Sequence, residues 1–198
     1  MKPPATITPA PERAQRADAR RNHELVLEAA RKLMAEDGLD AQMDEIARAA
    51  GVGVGTVYRH FPTKDDLIEA LANARFERLA EWANEALTSD DPGRAFEAFI
   101  RRSAELQAGD RALSEVMRSS GTAMRDAAER VDLLELTRKV LTRAQKAGAI
   151  RPDVRAEDVP MIMCGMGTAL ATPAGEIAGP DGWKRFLEIV LAGMRQPG

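Results

Sequence analysis

The stretch GVGVGTVYRHF, residues 51–61, places three glycines ahead of aromatic and basic side chains. Such a backbone could cradle the phosphates of a nucleotide, or it could form a turn that brings a short helix close to DNA. A dinucleotide fingerprint, G-x-G-x-x-G, needs a third glycine, but Thr56 and Tyr58 occupy the positions at which it would stand, and the preceding DEIARAA has a helical pattern. The Gly-Lys-Ser/Thr ending of a P-loop is missing too. The sequence therefore favours the turn.

Two short helices are predicted around these glycines, one from QMDEIARAAG and one from TVYRHF, and Pro62 prevents the second from continuing. We expect Gly51 to end the first helix in a left-handed conformation, Gly53 to form the turn, and Gly55 to let the backbone approach DNA. Two short helices joined by a glycine-containing turn are the layout of a helix-turn-helix.

The second of these helices has an inward and an outward face. Val57 and Phe61, four residues apart, share the side that would face the core. The side chains left on the outer side carry a hydroxyl, a phenol, a guanidinium and an imidazole, on Thr56, Tyr58, Arg59 and His60.

This outer surface suits DNA. Arg59 could pair with guanine edges in the major groove, while Tyr58, His60 and Lys64 suit phosphate contacts. The competing interpretation places Tyr58 in the core and leaves Arg59 and His60 merely solvated. The glycines and helix caps around them favour the DNA surface.

Composition and charge limit the remaining possibilities. Of the 198 residues, 44% are hydrophobic and 30% charged, and aromatics are few, which predicts a helical, all-α protein. With a single cysteine, Cys164, and two histidines, neither a disulfide nor a metal site is expected, and no cofactor is predicted. The chain has no signal-peptide pattern and no apolar stretch long enough for a membrane span, so we expect it in the cytoplasm.

The net charge of -3 is unevenly distributed. Residues 1–64 hold ten Lys and Arg against nine Asp and Glu, while the remainder holds 18 against 22. The front third is thus the less acidic part, which permits DNA binding there.

Three regions are predicted. Residues 1–17 contain four prolines and form a flexible arm, and residues 18–64 form the helix-turn-helix domain, whose first helix starts near Asp18. Residues 65–198 form a helical bundle, in which 110–121 and 122–148 are each expected to be one helix, for about nine helices in all. Arg13, Arg20 and His23 are expected to be solvated charges, with contact between the arm and DNA left open. The last two helices, 156–172 and 181–195, are apolar and rich in small residues, which suggests a subunit interface.

The stretch AARKLMAEDGLDAQMDEIARAAGVGVGTVYRHFPTKDDLIEAL resembles the N-terminal signature of the TetR (TetR/AcrR) family of transcriptional regulators, over about residues 21–75. The resemblance implies an all-helical homodimer whose first three helices bind DNA, followed by a ligand-binding and dimerisation domain with the last two helices at the dimer interface. It assigns the DNA-facing positions to Val54, Gly55, Thr56, Tyr58, Arg59, His60 and Lys64. Gln42, Met43 and Gly53 depart from the family pattern, in which Thr or Ser opens the second helix and Ser often occupies the turn.

The main hypothesis is a repressor that binds a palindromic operator in double-stranded DNA and is released by a small-molecule effector of unknown identity. An apolar or aromatic compound suits the candidate ligand-binding residues, which are Trp82, Phe96, Phe99, Met117, Met124, Met161 and Met166. For each of them, however, the helical spacing favours a place in the core. Two alternatives stay open: an architectural DNA-binding protein without ligand control, and a helical-bundle enzyme. Because no nucleophile–base pair is evident, an enzyme is not predicted.

Overall fold

A computed structural model describes residues 10–109, 116, 122–179 and 181–197, the first five of them by their backbone alone. Regular structure in these residues consists of ten α-helices and one short 3-10 helix, apart from an isolated antiparallel bridge between Ile150 and Arg195. The predicted all-α class is confirmed. Within the same residues, no helix combines the length and the apolar character that crossing a membrane requires.

The chain divides into two compact units between Leu67 and Ile68. The helices of the first unit are α1 (Ala10–Asp37), the 3-10 helix (Gly38–Asp40), α2 (Met43–Ala50), α3 (Val54–His60) and the first turn of α4 (Lys64–Thr88). Their apolar faces meet in a core whose fully buried members are Val26, Ala30, Met34, Ala41, Ile46, Ala47, Val57 and Leu67. This core holds α2 and α3 against α1.

Helix α1 begins at Ala10 rather than near Asp18, where the sequence predicted its start. Pro11 does not oppose this, because a proline is tolerated in the first helical turn, and the following ERAQRADARR contains strong helix formers. Residues 1–9 of the predicted arm lie outside the described residues. The basic side chains from Arg16 onward therefore stand on a helix.

The second unit contains the remainder of α4 and six further helices. These are α5 (Pro92–Gly109), α6 (Ala123–Arg130), α7 (Leu133–Lys146), α8 (Asp158–Leu170), α9 (Pro173–Ala178) and α10 (Gly182–Met194). Their shared core includes the large buried side chains of Phe96, Ile100, Met166, Leu187 and Leu191. The predicted helix over 110–121 lies outside the described residues except for Val116, which is buried.

The segment 122–148 forms two helices, although its pattern predicted one. Asp132 separates them with φ 49°, in the left-handed region, and its backbone N–H donates to the Glu129 carbonyl at 3.0 Å. Aspartate tolerates this conformation better than most residues, which permits the break. The short helix α9 was also unpredicted; it begins at Pro173, a residue whose fixed φ suits a first helical position.

An ion-pair network joins α5 to the end of α10. The Arg195 guanidinium donates to both carboxylate oxygens of Glu97, at 2.8 and 2.9 Å, and Arg101 Nη1 donates to Glu97 at 2.8 Å. The hydrogen bonds from Arg195, and secondarily those from Arg101, lower the pKa of Glu97 to about 2 against an opposing contribution from burial. Arg101 also binds Glu188 of α10 at 3.0 Å.

Candidate nucleic-acid interface and ligand cavity

The turn between α2 and α3 has the predicted geometry. Gly51 lies at φ 68°, ψ 28° and ends α2, with its N–H donating to the Arg48 carbonyl at 3.2 Å. Gly53 has an extended backbone and caps α3, where its carbonyl accepts the Thr56 N–H at 2.8 Å. The left-handed Gly51 is therefore confirmed, and a three-residue turn joins the two helices.

Helix α3 presents the predicted faces. Val57 is fully buried and Phe61, just beyond the helix, is 2% exposed. The opposite side exposes Val54, Tyr58 and Arg59, with Tyr58 49% exposed, and leaves Thr56 and His60 half-buried. The interpretation that placed Tyr58 in the core of the isolated chain is wrong.

The guanidinium of Arg59 lies along its own helix. Its Nε donates to the Gly55 carbonyl at 3.0 Å, and Nη2 lies 3.5 Å from the Thr56 hydroxyl. These contacts are weak and exposed, so exchanging them for a base edge costs little. Gly55 itself is unobstructed, since a Cβ built there would meet nothing within 4 Å.

Lys64 has a structural role in addition to the predicted one. Its ammonium donates to the Ala41 carbonyl at 2.6 Å and to the Leu39 carbonyl, tying the start of α4 to the segment before α2. An ammonium has three donors, so a phosphate contact from Lys64 would share the group with these two carbonyls.

Reciprocal caps fix both ends of this region. At α2 the Glu45 carboxylate accepts the Gln42 backbone N–H at 3.3 Å, which supports a helix start that lacks the usual Ser or Thr. At α4 the Thr63 N–H donates to Asp66 at 2.8 Å, and the Asp66 N–H donates to the Thr63 hydroxyl at 3.1 Å. The hydrogen bonds from Thr63 lower the pKa of Asp66.

His23 belongs to this region, although sequence reasoning treated it as a solvated charge. Its ring lies 4.9 Å from that of Phe61 and 5.6 Å from that of His60, measured between centroids. Partial burial, and then the nearby His60, lower the pKa of His23, while Glu24 acts in the opposite direction. The available signal was its spacing, three residues before the buried Val26 on the same helical face.

Two arginines continue the His23 face toward the N-terminus of α1. Arg20 and Arg16 precede His23 by three and seven residues, which places them on one helical stripe. Arg20 pairs with Glu24 at 3.3 Å, with side chains 85% and 65% exposed, so this pair is weak. The stripe of Arg16, Arg20 and His23 leads away from the His60 end of α3.

The second unit contains a cavity of about 490 Å³, lined by α4, α5, α6, α7 and α8. Most of its wall is apolar, from Phe76, Leu79, Phe99, Met124, Ala128, Leu133, Leu134, Val159, Pro160 and Met163. Its other members are Arg75, Ser103, Gln107, Arg125, Thr137, Cys164, Gly167 and Thr168. Volume and lining fit a small organic molecule.

The predicted ligand-binding residues are dispersed. Phe99 and Met124 line the cavity, Phe96 and Met166 lie in the core, and Met161 is 75% exposed. Trp82 is half-buried, with the Arg102 guanidinium 4.3 Å from its ring centroid. Met117 lies outside the described residues. Arg75 and Gln107 were missed because no local pattern marks a wall assembled from five helices.

Helices α8 and α10 each expose a stripe of apolar or small residues. On α8 these are Met161, Gly165 and Ala169, and on α10 they are Phe186, Ile189 and Gly193. The spacings of three and four residues place each set on one helical face. These are the helices for which a subunit interface was predicted.

Comparisons with known proteins agree with this architecture. Residues 26–71 match the family described as bacterial regulatory proteins, tetR family, and residues 91–196 match the C-terminal domain of SbtR-like transcriptional regulators. The crystal structure of a TetR transcription regulatory protein from Mycobacterium vanbaalenii is 34% identical, with a TM-score of 0.70 over 91% of this chain and 99% of that one. A TetR transcriptional regulator from Streptomyces coelicolor is 30% identical, with a TM-score of 0.69 over 89% and 99%.

Similarity to a curated protein extends over about a third of the chain. An HTH-type transcriptional regulator from Staphylococcus aureus strain MRSA252 is 36% identical over 70 residues. That alignment covers 34% of this chain and 37% of the relative. The chain therefore matches about a third of that relative's length.

Proposed function

This chain belongs to the TetR family of transcriptional regulators, and we propose that it is a homodimeric repressor that binds a palindromic operator and is released by a small-molecule effector. The observation that carries the proposal is the exposed outer face of α3, with Tyr58 and Arg59 in solvent and Val57 locked in the core. A short rigid helix that presents polar and basic groups in this way fits the major groove.

Each outer residue has a role in this proposal. Arg59 leaves the Gly55 carbonyl and pairs with a base edge, which gives sequence preference. Tyr58, His60 and Lys64 bind phosphates and fix the position of α3 on the duplex. The N-terminal residues of α3, Val54, Gly55 and Thr56, lie closest to the DNA because a recognition helix enters the groove by its N-terminal part.

Dimerisation explains the exposed stripes of α8 and α10. Two copies joined through these faces would bury side chains such as Met161 and Ile189, which are 75% and 58% exposed in the single chain. A two-fold dimer presents two α3 helices, and these match half-sites roughly 34–36 Å apart. The operator is therefore expected to be palindromic.

The cavity supports ligand control. An architectural DNA-binding protein without a ligand would be expected to have a filled interior. Helix α4 supplies Arg75, Phe76 and Leu79 to the cavity wall and begins at Lys64, which binds the segment before α2. A ligand that prefers one position of α4 would favour a dimer whose half-site spacing no longer fits the operator. The helix is thus the proposed route of release.

An enzymatic function has little support. Among the described lining residues, Cys164 is the strongest nucleophile, and none of them is a histidine or a carboxylate that could act as its base. Ligand binding is therefore the role that we propose for the cavity. The site of action is the cytoplasm, where the DNA of a bacterial cell lies.

The test is selection of bound duplexes from a random DNA pool by the purified protein, followed by sedimentation of the complex with the recovered site. The proposal requires inverted half-sites and an even number of protomers per duplex. Recovery without sequence preference would favour the architectural protein, and a single protomer on a single half-site would contradict the dimer.

A further inference from the structure

The polar side chains of the cavity include a hydrogen-bonded pair in an otherwise apolar wall. Arg75 of α4 is 8% exposed, and its Nη2 donates to the Gln107 Oε1 of α5 at 2.6 Å. Both residues line the cavity beside Phe76 and Phe99. The planar guanidinium of Arg75 thus has the neutral amide of Gln107 as one of its partners at the wall.

Gln107 is positioned from a second side by the backbone of α8. A Cβ on Gly167 would lie 2.3 Å from the Gln107 Nε2, so the glycine is what allows the amide to approach this helix. One turn earlier on α5, the Ser103 hydroxyl donates to the Phe99 carbonyl at 2.8 Å. The polar end of the cavity thus joins three helices: α4, α5 and α8.

The charged side chains among the described lining residues are all basic. The described lining residues include two arginines, Arg75 and Arg125, and no carboxylate. Arg125 is exposed and lies 3.7 Å from Asp126, so solvent and a neighbouring acid screen it, whereas Arg75 is buried. In a low-dielectric wall, a buried guanidinium favours an anion far more than a surface charge does.

We propose that the cavity binds an amphipathic organic acid: an apolar or aromatic body surrounded by side chains such as Phe99 and Met163, with one carboxylate bound by Arg75 beside Gln107. This inference names the chemical class of the effector and in that respect rests on the proposed function. The binding step itself requires neither DNA nor a dimer.

Matched probes test the proposal directly. Binding of 2-naphthoate and of 2-naphthamide to the full-length protein is measured by titration calorimetry at pH 7.5, at which only the former is charged. The carboxylate is expected to bind at least about tenfold more tightly, since charge-assisted hydrogen bonds are roughly twice as strong as neutral ones. Equal affinities, tighter binding of the amide, or no binding of either probe would overturn the proposal.

Gln107→Glu places a carboxylate next to Arg75 at nearly unchanged volume. The variant is expected to lose at least about tenfold in naphthoate affinity, because the new carboxylate competes with naphthoate for Arg75. Its affinity for the uncharged naphthamide should be unchanged. Gln196→Glu adds the same charge at an exposed position outside the cavity lining and should leave both affinities unchanged. Undiminished naphthoate binding by Gln107→Glu would contradict the assigned site.

A second variant tests the proposal if Gln107→Glu binds neither naphthoate nor naphthamide. Gly167→Ala inserts a methyl group against the end of the flexible Gln107 side chain, which must then move away from α8. The ratio of naphthoate to naphthamide affinity should fall at least about threefold; an unchanged ratio would contradict the arrangement.

The same preparations separate the two proposals. If a palindromic site is recovered and the two probes bind equally, the acid inference fails and the proposed function stands. If naphthoate binds preferentially and no DNA site is recovered, the cavity inference stands and the proposed function fails.

Discussion

The ring of His23 lies edge-on to that of His60, with centroids 5.6 Å apart and planes inclined at 69°. The contact joins α1 to the last residue of α3, next to the face proposed to bind DNA. The contact places inside the first unit an imidazole, that of His23, whose pKa is lowered by partial burial. It also connects α1 with the proposed DNA-binding face of α3.

The lowered pKa of His23 predicts that the first unit loses stability as the pH falls. A folded-state pKa below the ordinary value of about 6.5 means that the unfolded chain binds the proton more readily, so stability is retained above that value and declines below it. His23→Phe keeps the packing against Phe61 and should flatten the decline between about pH 7.5 and 5.5. Thermal unfolding followed across this range checks the prediction.

The matched control for His23 is Glu24→Gln, which removes the charge that opposes the shift and should make the decline slightly steeper. Identical pH dependence in the wild-type protein and His23→Phe would show that other groups govern the acid sensitivity.

The stripe of Arg16, Arg20 and His23 predicts phosphate contacts outside the base pairs read by α3. Arg16→Ala and Arg20→Ala should each reduce the slope of log affinity against log salt by about 0.9, one phosphate contact apiece. The reduction should occur on duplexes with several flanking base pairs and vanish on duplexes trimmed to the half-sites. Fluorescence anisotropy at a series of salt concentrations measures both.

Arg31→Ala serves as the control for the stripe, because Arg31 lies farther along α1 and pairs with Glu28 at 3.1 Å. Its salt slope should equal that of the wild-type protein on both duplexes. Equal slopes for all four proteins on the long duplex would exclude the stripe from the interface.

Gly51 and Gly55 should respond in opposite ways to alanine. At Gly51 the positive φ of 68° makes a side chain strained, and Gly51→Ala should lower the free energy of unfolding by about 1–2 kcal/mol. At Gly55 the backbone is helical and unobstructed, so Gly55→Ala should raise it by up to about 1 kcal/mol.

The effects on DNA affinity should be in the reverse order, with Gly55→Ala weakening DNA binding more than Gly51→Ala does. The methyl group of Gly55→Ala would stand between α3 and the duplex, so binding should weaken by about tenfold or more despite the higher stability. Urea unfolding and anisotropy titration of both variants provide the comparison. Wild-type affinity in Gly55→Ala would remove this residue from the proposed interface.

Glu97 should govern the acid stability of the second unit. Its pKa of about 2 lies below the ordinary carboxyl value, so its contribution is complete above about pH 4.5 and is lost as the pH falls toward 2. Glu97→Gln should therefore lower the urea midpoint at pH 7. Between pH 7 and pH 3, the midpoint of the variant should then fall by less than that of the wild-type protein.

Glu188→Gln is the comparison for Glu97, since Glu188 is half-exposed and binds Arg101 alone among the described ion pairs. Glu188→Gln should lower the urea midpoint at pH 7 by less than Glu97→Gln does, because exposed ion pairs contribute little to stability. A larger loss from Glu188→Gln than from Glu97→Gln would contradict the importance given to Glu97.

Local signals account for what could be predicted from the sequence. The left-handed turn at Gly51 and the inward pair of Val57 and Phe61 depend on one residue type or one helical spacing, and both are confirmed. The all-α class follows from composition and periodicity in the same way.

Features that depend on tertiary packing could not be predicted in this way. Arg75 and Gln107 are 32 residues apart and meet only because α4 packs beside α5, and the Gly167 backbone approaches them from a third helix. The break at Asp132 also lacks a local marker, since aspartate occurs in both helices and turns. The cavity wall was accordingly only partly anticipated, through Phe99 and Met124.

The measurement that tests the central claim most directly is a parallel selection from one random DNA pool by the wild-type protein and by Arg59→Ala. The wild-type protein should recover a palindrome with half-sites about one helical turn apart. Arg59→Ala should recover the same palindrome with preference lost at one symmetry-related base pair in each half-site, a loss of about 1–3 kcal/mol in discrimination. Identical base preferences from the two proteins, or recovered sites without two-fold symmetry, would contradict the claim that paired α3 helices read the operator.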